Sequence, residues 1–96
     1  MERQHSFAII PADVRYDKKL TANAKLLYAE ITCLIQKKDG YCFADNNYFA
    51  KLYDVTPQSI SKWIVALRDL GYINVEYIYD GNTITERRIY LKEREK

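Results

Sequence analysis

The sequence predicts an α+β domain in which helices come first and a two-stranded β-hairpin closes the chain. Three observations support this fold class. Between residues 20 and 70, apolar residues recur at helical spacing, every three or four positions. After Gly71 the period drops to two, which is the period of a strand. The letters "DGN" at residues 80–82 then separate two alternating stretches, as a hairpin turn does.

The first predicted elements are a short strand and a helix. "FAIIP" at residues 7–11 is an apolar run closed by a proline, which predicts one strand near the N-terminus. The helix that follows begins after Thr21, whose hydroxyl suits an N-cap, and ends before Gly40. Its apolar residues share one face and are expected in the core: Leu20, Ala24, Leu27, Tyr28, Ile31, Leu34 and Ile35.

A short strand and a short helix are predicted next. "YCF" at residues 41–43 suggests a strand of two or three residues, and Asp45 then suits the N-cap of a helix. "YDVT" at residues 53–56 breaks this helix. The residues expected to point inward from it are Tyr48, Phe49 and Leu52.

The third helix has the clearest start in the chain. Thr56 suits the N-cap, Pro57 the first helical position, and Gly71 the left-handed residue that follows a helix. Tyr72, directly after this glycine, is expected to point inward. The predicted core face comprises Ile60, Ile64, Leu67 and Leu70, with Trp63 at its margin.

The hairpin completes the predicted architecture. A loop at residues 80–82 would place Ile73 opposite Ile89 and Val75 opposite Arg87. Two helices joined by a tight turn and followed by a hairpin form a winged helix-turn-helix, here with three helices, a C-terminal two-stranded wing and the short N-terminal strand. We expect residues 1–96 to form one such domain, with a core of about residues 7–91.

The third helix also presents a second, polar face that suits double-stranded DNA. Gln58, Ser61 and Lys62 lie off the core in its N-terminal half, together with Val65 and Asp69 further along. Glutamine can bind adenine through two hydrogen bonds, serine can donate or accept, and lysine suits guanine or phosphate. Thr56 and Ser59, which flank the start, could bind phosphate oxygens. The alternative is that these two residues only cap the helix and that the polar face is merely solvated.

The predicted wing offers a second DNA contact. Arg87 and Arg88 could reach a neighbouring minor groove or the backbone, together with Asn82 and Tyr79 near the turn. Acidic residues on the same hairpin weigh against this contact: Glu76, Asp80 and Glu86.

Composition narrows the classes of function. The net charge of +2 permits DNA binding without requiring it. The sequence contains no stretch of 18 apolar residues, so no membrane span is predicted. The N-terminal letters "MERQHSF" do not resemble a signal peptide, so the two cysteines are expected to be reduced and the protein cytoplasmic. The sequence contains a single histidine and lacks a glycine-rich phosphate loop. We therefore expect no catalytic activity, no metal site and no cofactor.

Residues 20–73 resemble a known domain type. "AKLLYAEI", "GYCFADNNYFAKLY" and "SISKWIVALRDLGYI" are similar to the N-terminal winged helix-turn-helix domain of phage and plasmid replication initiators, the RepA-type and DnaD-like proteins. The resemblance extends over about residues 7–91. It implies binding to double-stranded origin DNA through Gln58, Ser59, Ser61 and Lys62, often as a homodimer or larger oligomer. In such proteins a separate C-terminal region recruits replication proteins. That region is absent here, so we expect this chain to be either the N-terminal DNA-binding part of a longer protein or a short relative.

Two other functions remain open at this stage. Related domains occur in transcriptional regulators. A winged helix can also serve as a protein-interaction module without affinity for DNA, and that interpretation would make Val65, Trp63 and the exposed tyrosines the contact surface.

Overall fold

A computed structural model describes residues 8–35 and 39–94 of the chain. Within these residues a one-turn helix precedes three longer helices and a hairpin. The elements are α1 (Ala12–Arg15), α2 (Ala22–Ile35), α3 (Asn46–Tyr53), α4 (Pro57–Asp69), β1 (Ile73–Asp80) and β2 (Thr83–Leu91). The predicted α+β class and the winged helix-turn-helix arrangement are confirmed, with α3 and α4 as the helix pair and β1–β2 as the wing.

The N-terminal segment differs from the prediction. Phe7 lies outside the described residues, and residues 8–11 form no strand. Pro11 instead starts α1, since its carbonyl accepts hydrogen bonds from the N–H groups of Val14 and Arg15 at 3.1 and 2.8 Å. Val14 is fully buried whereas Ile9 is 72% exposed. The core therefore takes its N-terminal apolar contact from the helical turn and not from the apolar run before it.

The core lies where the three longer helices meet the base of the wing. Tyr28 and Tyr72 are buried, as predicted, whereas the prediction for Tyr48 is wrong because it is 43% exposed. The physical reason is the phase of α3: Phe49 and Ala50 occupy its inner face, and Tyr48 precedes Phe49 by about 100° and Ala50 by about 200° of helical rotation. The largest fully buried side chains are Val14, Leu27, Ile31, Cys42, Phe49, Ile60, Leu67, Ile73 and Ile89.

The helix ends agree closely with the sequence. The three predicted N-caps, Thr21, Asp45 and Thr56, each accept a backbone hydrogen bond from the residue three positions further on. After α4, Gly71 has a φ of +89°. Its N–H donates to the carbonyl of Arg68 at 3.0 Å, and the N–H of Tyr72 donates to the carbonyl of Leu67 at 2.9 Å. This pair of bonds is a Schellman motif, which turns the chain from α4 into the wing.

The register of the wing differs from the predicted one. Ile73 pairs with Leu91, Val75 with Ile89, and Tyr77 with Arg87. Both predicted pairs are therefore wrong. From Ile73 to Ile78, each residue of β1 lies opposite a residue of β2 two positions further along the chain than predicted, and nearer the turn the difference is one position.

The shift has two causes, the turn and a bulge. The turn between Asp80 and Thr83 contains two residues and not three, with Gly81 at a φ of +66° as its first central residue. Ile78 then pairs with Glu86 although Tyr79 pairs with Ile84, so Thr85 is an extra residue in β2. A bulge of this kind leaves no clear mark in a period-two pattern.

The segment before α3 joins the sheet at a single point. Cys42 and Ile89 form an isolated antiparallel bridge, with N–H to carbonyl distances of 2.9 and 2.8 Å. The strand predicted at residues 41–43 is thus reduced to one residue. It connects the segment before α3 to β2.

Candidate nucleic-acid interface

The start of α4 is held by a small hydroxyl network. The Thr56 Oγ1 atom accepts the N–H of Ser59 and donates to the Ser59 Oγ atom, both at 3.1 Å. The capping function predicted for Thr56 is therefore confirmed. Ser59 accepts the threonine proton, which leaves its own hydroxyl proton available to an outside acceptor.

The outer face of α4 is exposed along the length of the helix. Its residues lie opposite the buried Ile60, Ile64 and Leu67, at helical spacings of three and four. They are Gln58, Ser61, Lys62, Val65 and Asp69, and all five are exposed.

The polar side chains in the N-terminal half of this face have no internal partner. Gln58, Ser61 and Lys62 form no side-chain hydrogen bond or ion pair with any other residue of the described ranges. At the far end, Asp69 accepts a bond from its neighbour Arg68 at 3.1 Å, which offsets its negative charge. The free hydrogen-bonding groups are thus concentrated at the start of the helix, where helix-turn-helix proteins approach the bases.

Arg87 lies on the inner face of the wing and is held inside the domain. Its Nη1 atom donates to the Asn46 side-chain oxygen at 2.6 Å, and its Nη2 atom donates to the Ala44 carbonyl at 2.8 Å. Burial lowers the pKa of the guanidinium. The Nε atom is buried and has no hydrogen-bond partner in the described part of the chain. The DNA contact predicted for Arg87 remains untested, but its side chain is directed towards the start of α3.

Arg88 lies on the opposite, outer face of the wing. Its guanidinium stands 4.6 Å from the centre of the Tyr41 ring and donates to Glu86 at 3.2 Å. The hydrogen bond from Arg88 to Glu86 raises the pKa of the arginine. This side chain is 31% exposed, so the pair lies at the surface, where an approaching phosphate can compete with the glutamate.

The structure therefore brings together only part of the predicted interface. Thr56, Ser59 and the exposed polar residues of α4 form one cluster, and Asn82 is exposed in the turn at the wing tip. Arg87 and Arg88 are neighbours in sequence but point to opposite faces of β2, as the period of a strand requires. Sequence analysis missed Ala44 and Asn46 as partners of Arg87. No local signal could have identified them, because they lie in the segment that leads into α3, far from β2 along the chain.

Other kinds of site find little support in the described residues. No group of three or more histidine, cysteine or acidic side chains there is arranged to hold a metal ion. Burial raises the pKa of both thiols, Cys33 and Cys42, which keeps them protonated. None of the described helices combines the length and apolar character needed to cross a bilayer.

Comparison with known proteins bears on the helices and not on the wing. The search of curated proteins and the search of solved structures found no match. A family model described as "Helix-turn-helix domain" matches residues 18–73, which is more than half of the 96-residue chain and runs from just before α2 to the first residue of β1. This family supports DNA as the partner, in agreement with the exposed polar start of α4. The chain belongs to the helix-turn-helix domain family.

Proposed function

We propose that this domain binds double-stranded DNA in a sequence-specific manner, with α4 in the major groove. The observation that carries the proposal is a set of polar side chains, without partners in the described part of the chain, at the exposed start of a helix whose other face forms the core. Gln58 would bind an adenine edge, Ser61 a neighbouring donor or acceptor, and Lys62 a guanine or a phosphate. Helix-turn-helix domains are typically not enzymes, which agrees with a binding function.

Two further regions would bind the DNA backbone. Thr56 and Ser59 stand at the N-terminus of α4, where the positive end of the helix dipole favours phosphate. Asn82 and Arg88 would extend the contact from the wing to the neighbouring groove or its phosphates. Arg88 would exchange Glu86 for a phosphate, at little cost because surface ion pairs are weak.

The biological role that we propose is replication initiation at a phage or plasmid origin. The support is the resemblance of residues 20–73 to the DNA-binding domain of replication initiators. In this proposal residues 1–96 are one domain, the N-terminal part of a longer protein that binds DNA as a homodimer and recruits replication proteins elsewhere. Transcriptional regulation is equally consistent with the family, and a footprint on origin DNA as against promoter DNA would distinguish the two roles.

The test of DNA binding is fluorescence anisotropy with a duplex of about 25 base pairs at several salt concentrations. The variants are Lys62→Ala and, as a matched control, Lys92→Ala, which removes an exposed lysine at the base of the wing. We expect the wild type to lose affinity steeply as salt rises. Lys62→Ala should cost about 1–3 kcal/mol, or about 5- to 150-fold in affinity, and Lys92→Ala much less. Absence of wild-type binding at low salt would exclude the proposal and favour a protein-interaction module.

A further inference from the structure

The guanidinium of Arg87 is directed into the domain and not outward, as a contact with DNA would require. It projects from β2 on the same face as the fully buried Ile89, two residues away, and it pairs across the sheet with Tyr77. Removing a guanidinium from water is costly unless hydrogen bonds replace the lost hydration. The 2.6 and 2.8 Å bonds to Asn46 and Ala44 provide that replacement inside the domain.

The two acceptors of Arg87 lie on either side of the N-cap of α3. Asp45 is that N-cap, and its side chain accepts the N–H of Tyr48 at 2.9 Å. The Arg87 side chain therefore binds the residues directly before and after the N-cap with which the helix-turn-helix begins. The Asp45 carboxylate also favours the charged form of Arg87 by electrostatic attraction.

Arg87 is also the outermost inner-face anchor of the wing in the described chain. The backbone bridge between Cys42 and Ile89 is nearer to the core. Tyr77, directly opposite Arg87, is 44% exposed, and beyond this pair Tyr79 and Ile84 are 59 and 51% exposed, so the tip is not packed against the helices. The direction in which the tip projects thus depends on the Cys42–Ile89 bridge and on the hydrogen bonds of Arg87, which both lie closer to the core.

We propose that Arg87 is a positioning residue, which clamps the wing to the start of α3 and so sets the place of the wing tip relative to α4. This inference rests on the proposed binding of duplex DNA. Helix α4 and the wing must contact the same duplex at the same time. If the wing is already held in place in the free protein, binding does not include the entropic cost of ordering it. The guanidinium acts through the wing and makes no contact with DNA itself.

The test compares Arg87→Lys with Arg87→Gln, using the duplex assay above. A lysine preserves the charge but cannot form the two-pronged bond. If Arg87 positions the wing, both variants should weaken duplex binding by a similar factor, about five- to tenfold. Arg88 provides the contrast on the other face of the same strand: Arg88→Lys should bind duplex more tightly than Arg88→Gln, since a contact with phosphate needs mainly charge.

A double-mutant cycle with the wing tip measures the positioning itself. Asn82→Ala should weaken binding in the wild-type background and have little further effect in the Arg87→Gln background. Asn46→Ala removes one acceptor and leaves the arginine in place, so it should also reduce the effect of Asn82→Ala. If circular dichroism shows that the Arg87→Gln variant is unfolded, Asn46→Ala takes its place in the cycle.

Several outcomes would overturn the inference. Wild-type affinity in Arg87→Lys would show that charge alone matters, as in a direct phosphate contact. An Asn82→Ala effect that is the same in all backgrounds, or absent in the wild type, would show that Arg87 does not act through the tip. Failure of the wild type itself to bind any duplex would remove the proposed function and this inference together, and it is recognised without any variant.

Discussion

Helix α4 and the wing are the two regions proposed to bind DNA, and they differ in how they combine stability with contact. In α4 the two tasks lie on opposite faces: Leu67 is fully buried, whereas Lys62 is exposed and has no side-chain partner among the described residues. In the wing both neighbouring arginines already have partners within the domain, Arg87 on the inner face and Arg88 on the outer one. A helix can thus separate folding from binding by face, whereas in the wing Arg88 would have both tasks and Arg87 would support the proposed contact only through the fold.

The largest expected effect tests the separation of faces in α4. Leu67→Ala should lower the free energy of unfolding by about 2–5 kcal/mol, because it removes fully buried methyl groups and leaves a cavity. Val65→Ala, two residues earlier on the outer face, should change it by less than about 0.5 kcal/mol, since Val65 is 40% exposed. Urea denaturation measures both. Similar losses for the two variants would show that the faces are not independent.

A smaller loss of stability is expected at Thr56, where α4 would combine a contribution to folding with a contact to DNA. Thr56→Ala removes the cap bond to Ser59 and should cost about 1 kcal/mol of stability. Thr56→Ser retains a hydroxyl and should retain most of that stability. Urea denaturation and duplex binding are measured on the same samples. If Thr56 also binds phosphate, the alanine variant alone loses affinity; equal affinities would leave Thr56 with a capping function only.

The smallest effect concerns the junction between the two regions and is confined to alkaline pH. Tyr72 follows α4, donates to Asp17 at 2.6 Å, and has its pKa raised from 10.0 to about 12 by burial and by this bond. A raised pKa means that the folded state retains the proton longer than the unfolded state. The contribution of Tyr72 is therefore complete below about pH 10 and declines as the pH rises towards about 12.

Tyr72→Phe isolates this contribution. The other tyrosines titrate in both proteins, so only the difference between wild type and variant is informative. The difference in unfolding free energy, measured by urea denaturation between about pH 9 and about pH 11.5, should shrink as the pH rises. A difference that is constant with pH would show that the Tyr72 hydroxyl is not selectively protonated in the folded state.

The three longer helices could be predicted almost completely from the sequence, whereas α1 was not predicted. The N-caps at Thr21, Asp45 and Thr56 act over three residues, and Gly71 acts through its own backbone, so each signal is local and each was confirmed. The core face of α4 follows from helical periodicity alone. Tyr48 was misplaced because a helix of eight residues contains too few apolar positions to fix its phase.

The wing could be predicted only in outline. Its two strands and the glycine of its turn follow from alternation and composition, but the register depends on a bulge at Thr85 that the alternation does not reveal. The N-terminal strand failed for a similar reason, because a short apolar run becomes a strand only where a partner strand is available. In the described residues that run has none.

The sequence by itself thus determined the order of α2, α3, α4 and the two wing strands, the ends of these three helices and the polar face of α4, since all of these depend on interactions within a few residues. Tertiary structure alone decided what the two wing arginines do. Arg87 and Arg88 are equivalent in sequence, and the alternation of a strand says only that they point apart. Arg87 is held inside the domain because Ala44 and Asn46 lie against the inner face, and Arg88 stays at the surface, where it contacts Tyr41 and Glu86.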